Sequence, residues 1–163
     1  MSRYRPPAAR KSPYVTPEGK RRLLDEQKAL WLRRREVVTA LSAAAAEGDR
    51  SENAEYIYRK KELREIDSRI RYLQKRLPDL NVIDKKPARS DHVFFGATVT
   101  LEDKDEVLVK YRIVGPDEFD QAEHYISADS PLARSLLKRE LGDEIEVEVP
   151  NGRLTYCIVD IAY

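Results

Sequence analysis

The chain has 163 residues, of which 36% are charged, with a net charge of +1 at neutral pH and a mean hydropathy of −0.65. These values suit one or two small, well-wetted domains, and no apolar run approaches the ~20 residues that a membrane span needs. A single cysteine, Cys157, excludes an internal disulfide, two scattered histidines give no zinc pattern, and "MSRYRPPAARKSPYV" lacks the apolar stretch of a secretory signal. A reducing cytoplasm is the expected setting. The near-neutral total hides an asymmetry: residues 1–82 carry +8 and residues 83–163 carry −7. A basic half and an acidic half are expected to meet different partners.

Residues 1–15 hold three prolines and four Lys or Arg with little apolar pattern, which predicts a mobile basic tail. Thr16-Pro17-Glu18 reads as a helix start: Thr16 can cap the first amides, Pro17 suits the first helical position, and Glu18 favours the positive end of the dipole. The helix is predicted to run to about Glu47, with Leu23, Leu30, Val37, Leu41 and Ala44 on one stripe and Gly48 as its stop. In a second helix Leu63, Ile66, Ile70, Leu73 and Leu77 recur at spacings of 3, 4, 3 and 4. That register extends back through Arg59 and Tyr56 as a heptad seam, and Pro78 ends it. Two such helices joined by a tight turn must pair antiparallel, each about 45 Å long.

From about Asn81 the period changes. "VFFGATVTLED", "VLVKYRIVG", "EIEVEV" and "LTYCIVDIAY" read as strands. Turns are expected at Asp103-Lys104-Asp105, Gly115-Pro116-Asp117 and Pro150-Asn151-Gly152. "SPLARSLLKREL" reads as one helix capped by Ser130, begun by Pro131 and stopped by Gly142. The fold class predicted is therefore α+β: a basic tail over 1–15, a helical hairpin over 16–82 with its tip at 48–53, and an antiparallel-sheet domain with one helix over 83–163. Cys157 is expected in the core of that domain.

The stretch "EGDRSENAEY" between the two helices admits two readings. Asp49 as N-cap and Glu52 three residues later form an acidic capping box, which explains both residues by helix chemistry alone. The two carboxylates, at i and i+3, can also point the same way. Paired hard oxygens suit Mg²⁺, but two are too few for a private site, because Mg²⁺ takes about six ligands. Such a pair makes sense if another macromolecule supplies the remaining ligands. Lys60, Arg64, Arg71 and Lys75 fall within a sector of roughly 60° at the side of the seam. They read equally well as a solvated face or as a phosphate-binding stripe.

"GDRSENAEYIYRKKELREIDSRIRYL" closely resembles the tip and second helix of the bacterial Gre-type transcript cleavage factors, GreB branch. "VFFGATVTLED", "YRIVGPDEFD" and "HYISADSPLARSLLKRELGDE" resemble their C-terminal domain in order, so the resemblance spans about Val15 to Tyr163. It implies a coiled-coil hairpin followed by an FKBP-like domain. It also implies a factor that docks on bacterial RNA polymerase and inserts the hairpin into the secondary channel. There it stimulates hydrolysis of the nascent RNA 3′ end extruded in backtracked complexes. By this resemblance Asp49 and Glu52 match the tip carboxylates, which help hold a catalytic Mg²⁺ jointly with polymerase, while the isolated chain binds none stably. Ser51, Asn53 and Tyr56 match tip-supporting positions, Lys60, Arg64, Arg71 and Lys75 an RNA-binding face, and Asp129, Ser130 and Pro131 the stretch that docks on the channel rim.

The resemblance further implies a cytoplasmic monomer, brought to the nucleoid by polymerase, that is not an enzyme by itself. Glu47 adds a third acid beside the tip. Glu62 and Ser68 stand where the branch tends to carry basic residues, which predicts a weaker grip on long extruded RNA. Two other classes are open: a channel-binding inhibitor, expected to carry a different tip, and an FKBP-like prolyl isomerase or chaperone with a helical arm. For the latter no aromatic-lined pocket sequence is evident, since Phe94, Phe95 and Phe119 are the only phenylalanines.

Overall fold

The computed structural model describes residues 6–48 and 53–163. The chain divides into a helical unit, Lys20–Leu80, and a sheet unit formed by Met1–Gly19 with Asn81–Tyr163.

The helical unit contains most of α1 (Pro17–Ala45) and all of α2 (Ala54–Arg76). Their seam follows the apolar spacing: Leu23, Val37, Ala44, Ile66, Ile70, Leu73 and Leu77 are buried, and Leu30 and Leu63 pack against this cluster half-buried. Cross-helix ion pairs run in opposite chain directions along the two helices and so fix the antiparallel pairing. Glu26 meets Arg69 at 2.6 Å, Arg33 meets Glu62 at 2.8 Å, and Arg34 meets Asp67 at 2.7 Å. Pro78 lies in a short 3₁₀ turn, Leu77–Asp79, directly after α2. Its ring cannot continue the helix.

The start of α2 differs from expectation. Its N-cap is Asn53, whose side-chain oxygen accepts from the Tyr56 amide at 3.1 Å. The Asp49 and Glu52 of the proposed capping box lie outside the described residues, upstream of this cap. The physical reason for the choice is visible. The Asn53 Nδ2 also donates to the Ala44 carbonyl at 2.8 Å, so one amide side chain binds the last turn of α1 and caps the start of α2 together. A carboxylate cannot donate and so cannot do both.

In the sheet unit, β1 (Tyr14–Val15) pairs in parallel with β2 (Asn81–Val82). The main sheet comprises β3 (Thr98–Glu102), β4 (Leu108–Val114), β5 (Tyr125–Ser127), β6 (Glu144–Val149) and β7 (Gly152–Ala162), in the order β5-β4-β3-β7-β6. Every pairing is antiparallel except β4 with β5. The core gathers Val99 and Leu101 of β3, Ile113 of β4, Ile145 and Val147 of β6 and Ile158 of β7 around Ala133 and Leu136 of the one helix, α3 (Pro131–Leu136). The register shifts between Thr100 and Leu101, where Asp160 and then Ile158 are the partners. Val159 is the extra residue, which is how a β-bulge re-aims a strand.

Four expectations need correction here. The N-terminal segment is not a mobile tail throughout: Val15 is fully buried, and residues 11–15 are tied down by β1 and by contacts described below. The helix begun by Pro131 stops at Leu136, well before Gly142. The next residues are drawn into other bonds, since the Lys138 amide donates to the Val93 carbonyl and Val93 to that of Arg139. The segment from Val93 to Ala97 is irregular and the strand begins only at Thr98. Cys157 is half-buried rather than in the core, its Sγ 3.8 Å from the Gly142 carbonyl.

Candidate functional site

The end of the helical unit where α1 stops and α2 starts is built by backbone chemistry. α1 ends at Ala45, and the Glu47 amide still reaches back to the Ala44 carbonyl at 3.3 Å. Gly48 then takes φ +125°, a value an L side chain rarely adopts, so glycine is required where the chain leaves the helix. Asn53 closes the other side, and the Ile57 amide donates to its carbonyl at 3.1 Å. The joining segment therefore has both ends defined. Asp49, Ser51 and Glu52 themselves lie outside the described residues. Glu47 is exposed beside them. Tyr56 is half-buried, with the Lys60 ammonium 5.8 Å from its ring centre.

Along α2 the charges separate into two groups. Arg59 bonds Glu55 at 2.7 Å and Glu62 at 3.0 Å, while Glu62 also receives Arg33. The hydrogen bond from Arg33, with one from Arg59, holds the Glu62 carboxyl below its ordinary range. Arg33 is raised in turn, chiefly by Glu62, and Arg59 is raised chiefly by Glu55. Lys60, Arg64, Arg71 and Lys75 are exposed, and none of them is ion-paired among the described residues. Glu62 thus pairs with Arg33 and Arg59 and, among the described residues, with none of the stripe's four cations. Ser68 is exposed and carries no counter-charge.

In the sheet unit, Ser130 caps α3 by accepting from the Ala133 amide at 3.2 Å, and Pro131 is exposed at the first helical position. The Asp129 carboxylate is engaged: it accepts from the Ser12 amide at 2.8 Å and from the Ser12 hydroxyl. Lys11 reaches Asp117 at 3.9 Å. Sequence reasoning missed a neighbouring feature. Glu118 is 3% exposed and accepts from the Thr16 amide at 3.1 Å, the Thr16 hydroxyl, and the Gly115 amide at 2.8 Å. Thr16 also caps α1 by accepting from the Gly19 amide at 3.1 Å. A side chain at Gly19 would sit 1.8 Å from the Glu118 carboxylate, and one at Gly115 2.1 Å from the Tyr14 carbonyl. Gly19 in a first helical turn, where glycine is unfavourable, was the one signal in the sequence of this close approach.

An antiparallel helix pair and a small mixed-sheet unit with one helix define a two-part α+β protein. Residues 13–82 match the family described as "Transcription elongation factor, N-terminal", and residues 87–163 match "Transcription elongation factor, GreA/GreB, C-term". The transcription elongation factor GreB of Xanthomonas axonopodis pv. citri is 56% identical over 165 residues, covering 100% of this chain and 98% of that protein. GreB of Pseudomonas aeruginosa is 56% identical over 164 residues with the same coverage, and GreB of Yersinia pestis is 53% identical over 154 residues, covering 94% and 90%. Among solved structures, that of the transcription factor Gfh1 aligns with a TM-score of 0.45 at 24% identity, covering 95% of this chain and 99% of that one. The chain belongs to the GreA/GreB family of transcription elongation factors.

Proposed function

We propose that this elongation factor acts in the secondary channel of bacterial RNA polymerase. It brings Asp49 and Glu52 to the active centre and stimulates cleavage of the extruded RNA 3′ end in backtracked complexes. The observation that carries the reading is the turn between α1 and α2. Its two ends are fixed by Gly48 and by the Asn53 bridge, and the residues between them include two acids and no large apolar side chain. Asp, Arg, Ser and Glu are residue types with little to offer an apolar core, and their oxygens and charges suit a partner. The donor set fits a shared Mg²⁺: two carboxylates are hard oxygen ligands but too few to hold the ion alone. Among the described residues no other cluster of acids, histidines or cysteine could complete it. When bound between factor and polymerase, the ion would supply Lewis acidity and an activated water. Asp49 and Glu52 then act as oxygen donors, and Asn53 holds the ends of the two helices together behind them. The chain is in this reading a stimulator of the polymerase's own hydrolysis and works as a cytoplasmic monomer.

Docking is assigned to the sheet unit around Asp129, Ser130 and Pro131, and RNA holding to Lys60, Arg64, Arg71 and Lys75. The deciding experiment adds the full chain to a stalled, backtracked elongation complex and resolves the RNA on a gel. Shortened transcripts that appear only with both factor and Mg²⁺ are expected. Binding that blocks elongation without cleavage would replace this reading with that of a channel inhibitor. Loss of both binding and cleavage effects would remove the polymerase reading altogether.

A further inference from the structure

The single tryptophan of the chain is not buried. Trp31, on α1, is 43% exposed although tryptophan is one of the residues that gains most from burial. It lines a groove of about 370 Å³ with Arg34, Asp67, Ile70, Arg71 and Gln74, roughly ten times the share of one water molecule. The groove is a shallow surface depression, widely open to solvent. Ile70 is buried and supplies an apolar floor. Arg34 and Asp67 are locked together at 2.7 Å, so their charges cancel locally. Arg71 has no ion-pair partner among the described residues, and Gln74 offers both a donor and an acceptor.

The groove also lies on a cationic track. Arg64 is seven residues before Arg71 on α2 and Lys75 four after it, so all three share one side of the helix, exposed and without carboxylate partners among the described residues. A flat aromatic face beside a row of free cations is the combination by which proteins hold single-stranded nucleic acid without regard to sequence: cations track phosphates while bases stack. We infer that the Trp31–Arg71–Gln74 groove is a stacking seat for one nucleobase of single-stranded RNA, whose flanking phosphates lie on Arg64, Arg71 and Lys75. The inference rests on the RNA-holding role proposed above and adds base contact to what was a phosphate contact.

Trp31 is its own reporter, because no other tryptophan contributes to the emission. The full chain is titrated at low salt with a short single-stranded RNA, with the same ribose-phosphate chain lacking bases, and with poly-glutamate. RNA is expected to quench Trp31 and the other two to leave it unchanged. In a mobility-shift assay with end-labelled RNA, which needs no tryptophan, W31A is expected to bind RNA about tenfold more weakly than wild type, and W31F to restore most of the loss. Circular dichroism is run on both variants, and W31F keeps the test open if W31A unfolds. R71Q should weaken RNA and abasic chain alike. Equal quenching by abasic chain or by poly-glutamate would overturn the base seat, as would a W31A protein that binds RNA like wild type. Transcript cleavage is measured on the same preparations. A wild type that cleaves but shows no base-dependent quenching sinks this inference alone, and one that quenches but never stimulates cleavage sinks the channel reading instead.

Discussion

The two units handle charge differently. In the helical unit, Lys60, Arg64, Arg71 and Lys75 are exposed and have no ion pair among the described residues, while Arg33, Arg34, Arg59 and Arg69 on the same helix pair are each matched to a carboxylate. In the sheet unit, two carboxylates that look available from sequence are already in use: Asp129 holds Ser12, and Glu118 holds Thr16 and Gly115. Packing explains why. A seam between two helices buries a single stripe and leaves most side chains on the surface, so that Trp31, Leu32, Ile57 and Tyr58 are all exposed. The sheet unit packs α3 against a sheet whose central strand, β3, has Val99, Thr100 and Leu101 buried in succession, and polar groups near such a core must find partners. Free charge in the helical unit is therefore a candidate for intermolecular work, while charge in the sheet unit must first be shown not to be structural.

The largest effect should come from the turn. Asp49→Ala and Glu52→Ala are each expected to reduce RNA cleavage a hundredfold or more, about 3 kcal/mol of transition-state stabilisation, without recovery at saturating factor. Polymerase binding should stay near wild type. Because Asn53 caps α2, neither change removes the cap, and circular dichroism melts should be close to wild type. A folded variant that cleaves at the normal rate would remove that residue from the metal-delivery role.

Asp129 tests the other unit, and the structure sets a competing explanation beside the docking one. If Asp129 docks, Asp129→Ala should raise the factor concentration for half-maximal cleavage by about tenfold, with full activity at saturation. Ser12→Ala, which removes one of the two donors to that carboxylate, should then have little effect. Equal losses for the two variants would mean that Asp129 acts by holding the N-terminal segment. Pro131→Ala separates them again, since Pro131 is exposed at the start of α3.

Asn53→Ala should fall between chemistry and stability. Loss of an N-cap costs about 0.5–2 kcal/mol, and here the bond to the Ala44 carbonyl goes with it. The expected outcome is a lower melting midpoint together with reduced cleavage that Asn53→Asp restores only in part, because Asp can cap but cannot donate to Ala44. Complete restoration by Asp would show that the bridge to α1 is unimportant.

The free stripe should matter less and depend on RNA length. Reversing Arg64 and Arg71 to Glu is expected to slow cleavage of long extruded ends more than short ones, on the order of 1 kcal/mol per exposed contact, and the difference should shrink as salt rises. Equal losses for both lengths would return these residues to a solvated face.

Much of this was legible because periodicity is local. The spacing of Leu63, Ile66, Ile70 and Leu73 specifies a seam whatever lies across it, and Thr16 and Ser130 cap the helices that their neighbours announce. What was missed depends on residues far apart or on geometry. β1 and β2 are two residues long and pair across the whole helical unit, too short to show a period. Glu118 meets Thr16 across 102 positions of chain, and Ser12 meets Asp129 across 117. The cap of α2 was misassigned because "DRSE" satisfies a capping-box pattern and "NAEY" does not. Only the need to serve α1 as well favours Asn53. The pairing of Glu62 with Arg33 likewise joins residues 29 positions apart and has no local signature.

That last residue supplies the smallest prediction and the sharpest test of engaged against free charge. The Glu62 carboxyl is held below its ordinary range, first by Arg33 and then by Arg59. A carboxyl depressed in the folded state stabilises the fold above its unfolded value, near pH 4.3, and loses that contribution as pH falls through the folded value. Wild type should therefore be slightly more stable than Glu62→Gln at neutral pH, with a constant gap down to about pH 4.5 and a closing gap below it. The pair is solvent-exposed, so 1 M salt, where the Debye length is about 3 Å, should narrow the gap at any pH. Thermal melts followed by circular dichroism across pH 3–7 are the measurement. Cleavage of long backtracks should be the same in both proteins, because the carboxylate removed never faced the stripe. If Glu62→Gln instead improves the grip on long RNA, then Glu62 opposes the stripe in solution, and its pairing with Arg33 and Arg59 is too weak to keep it engaged.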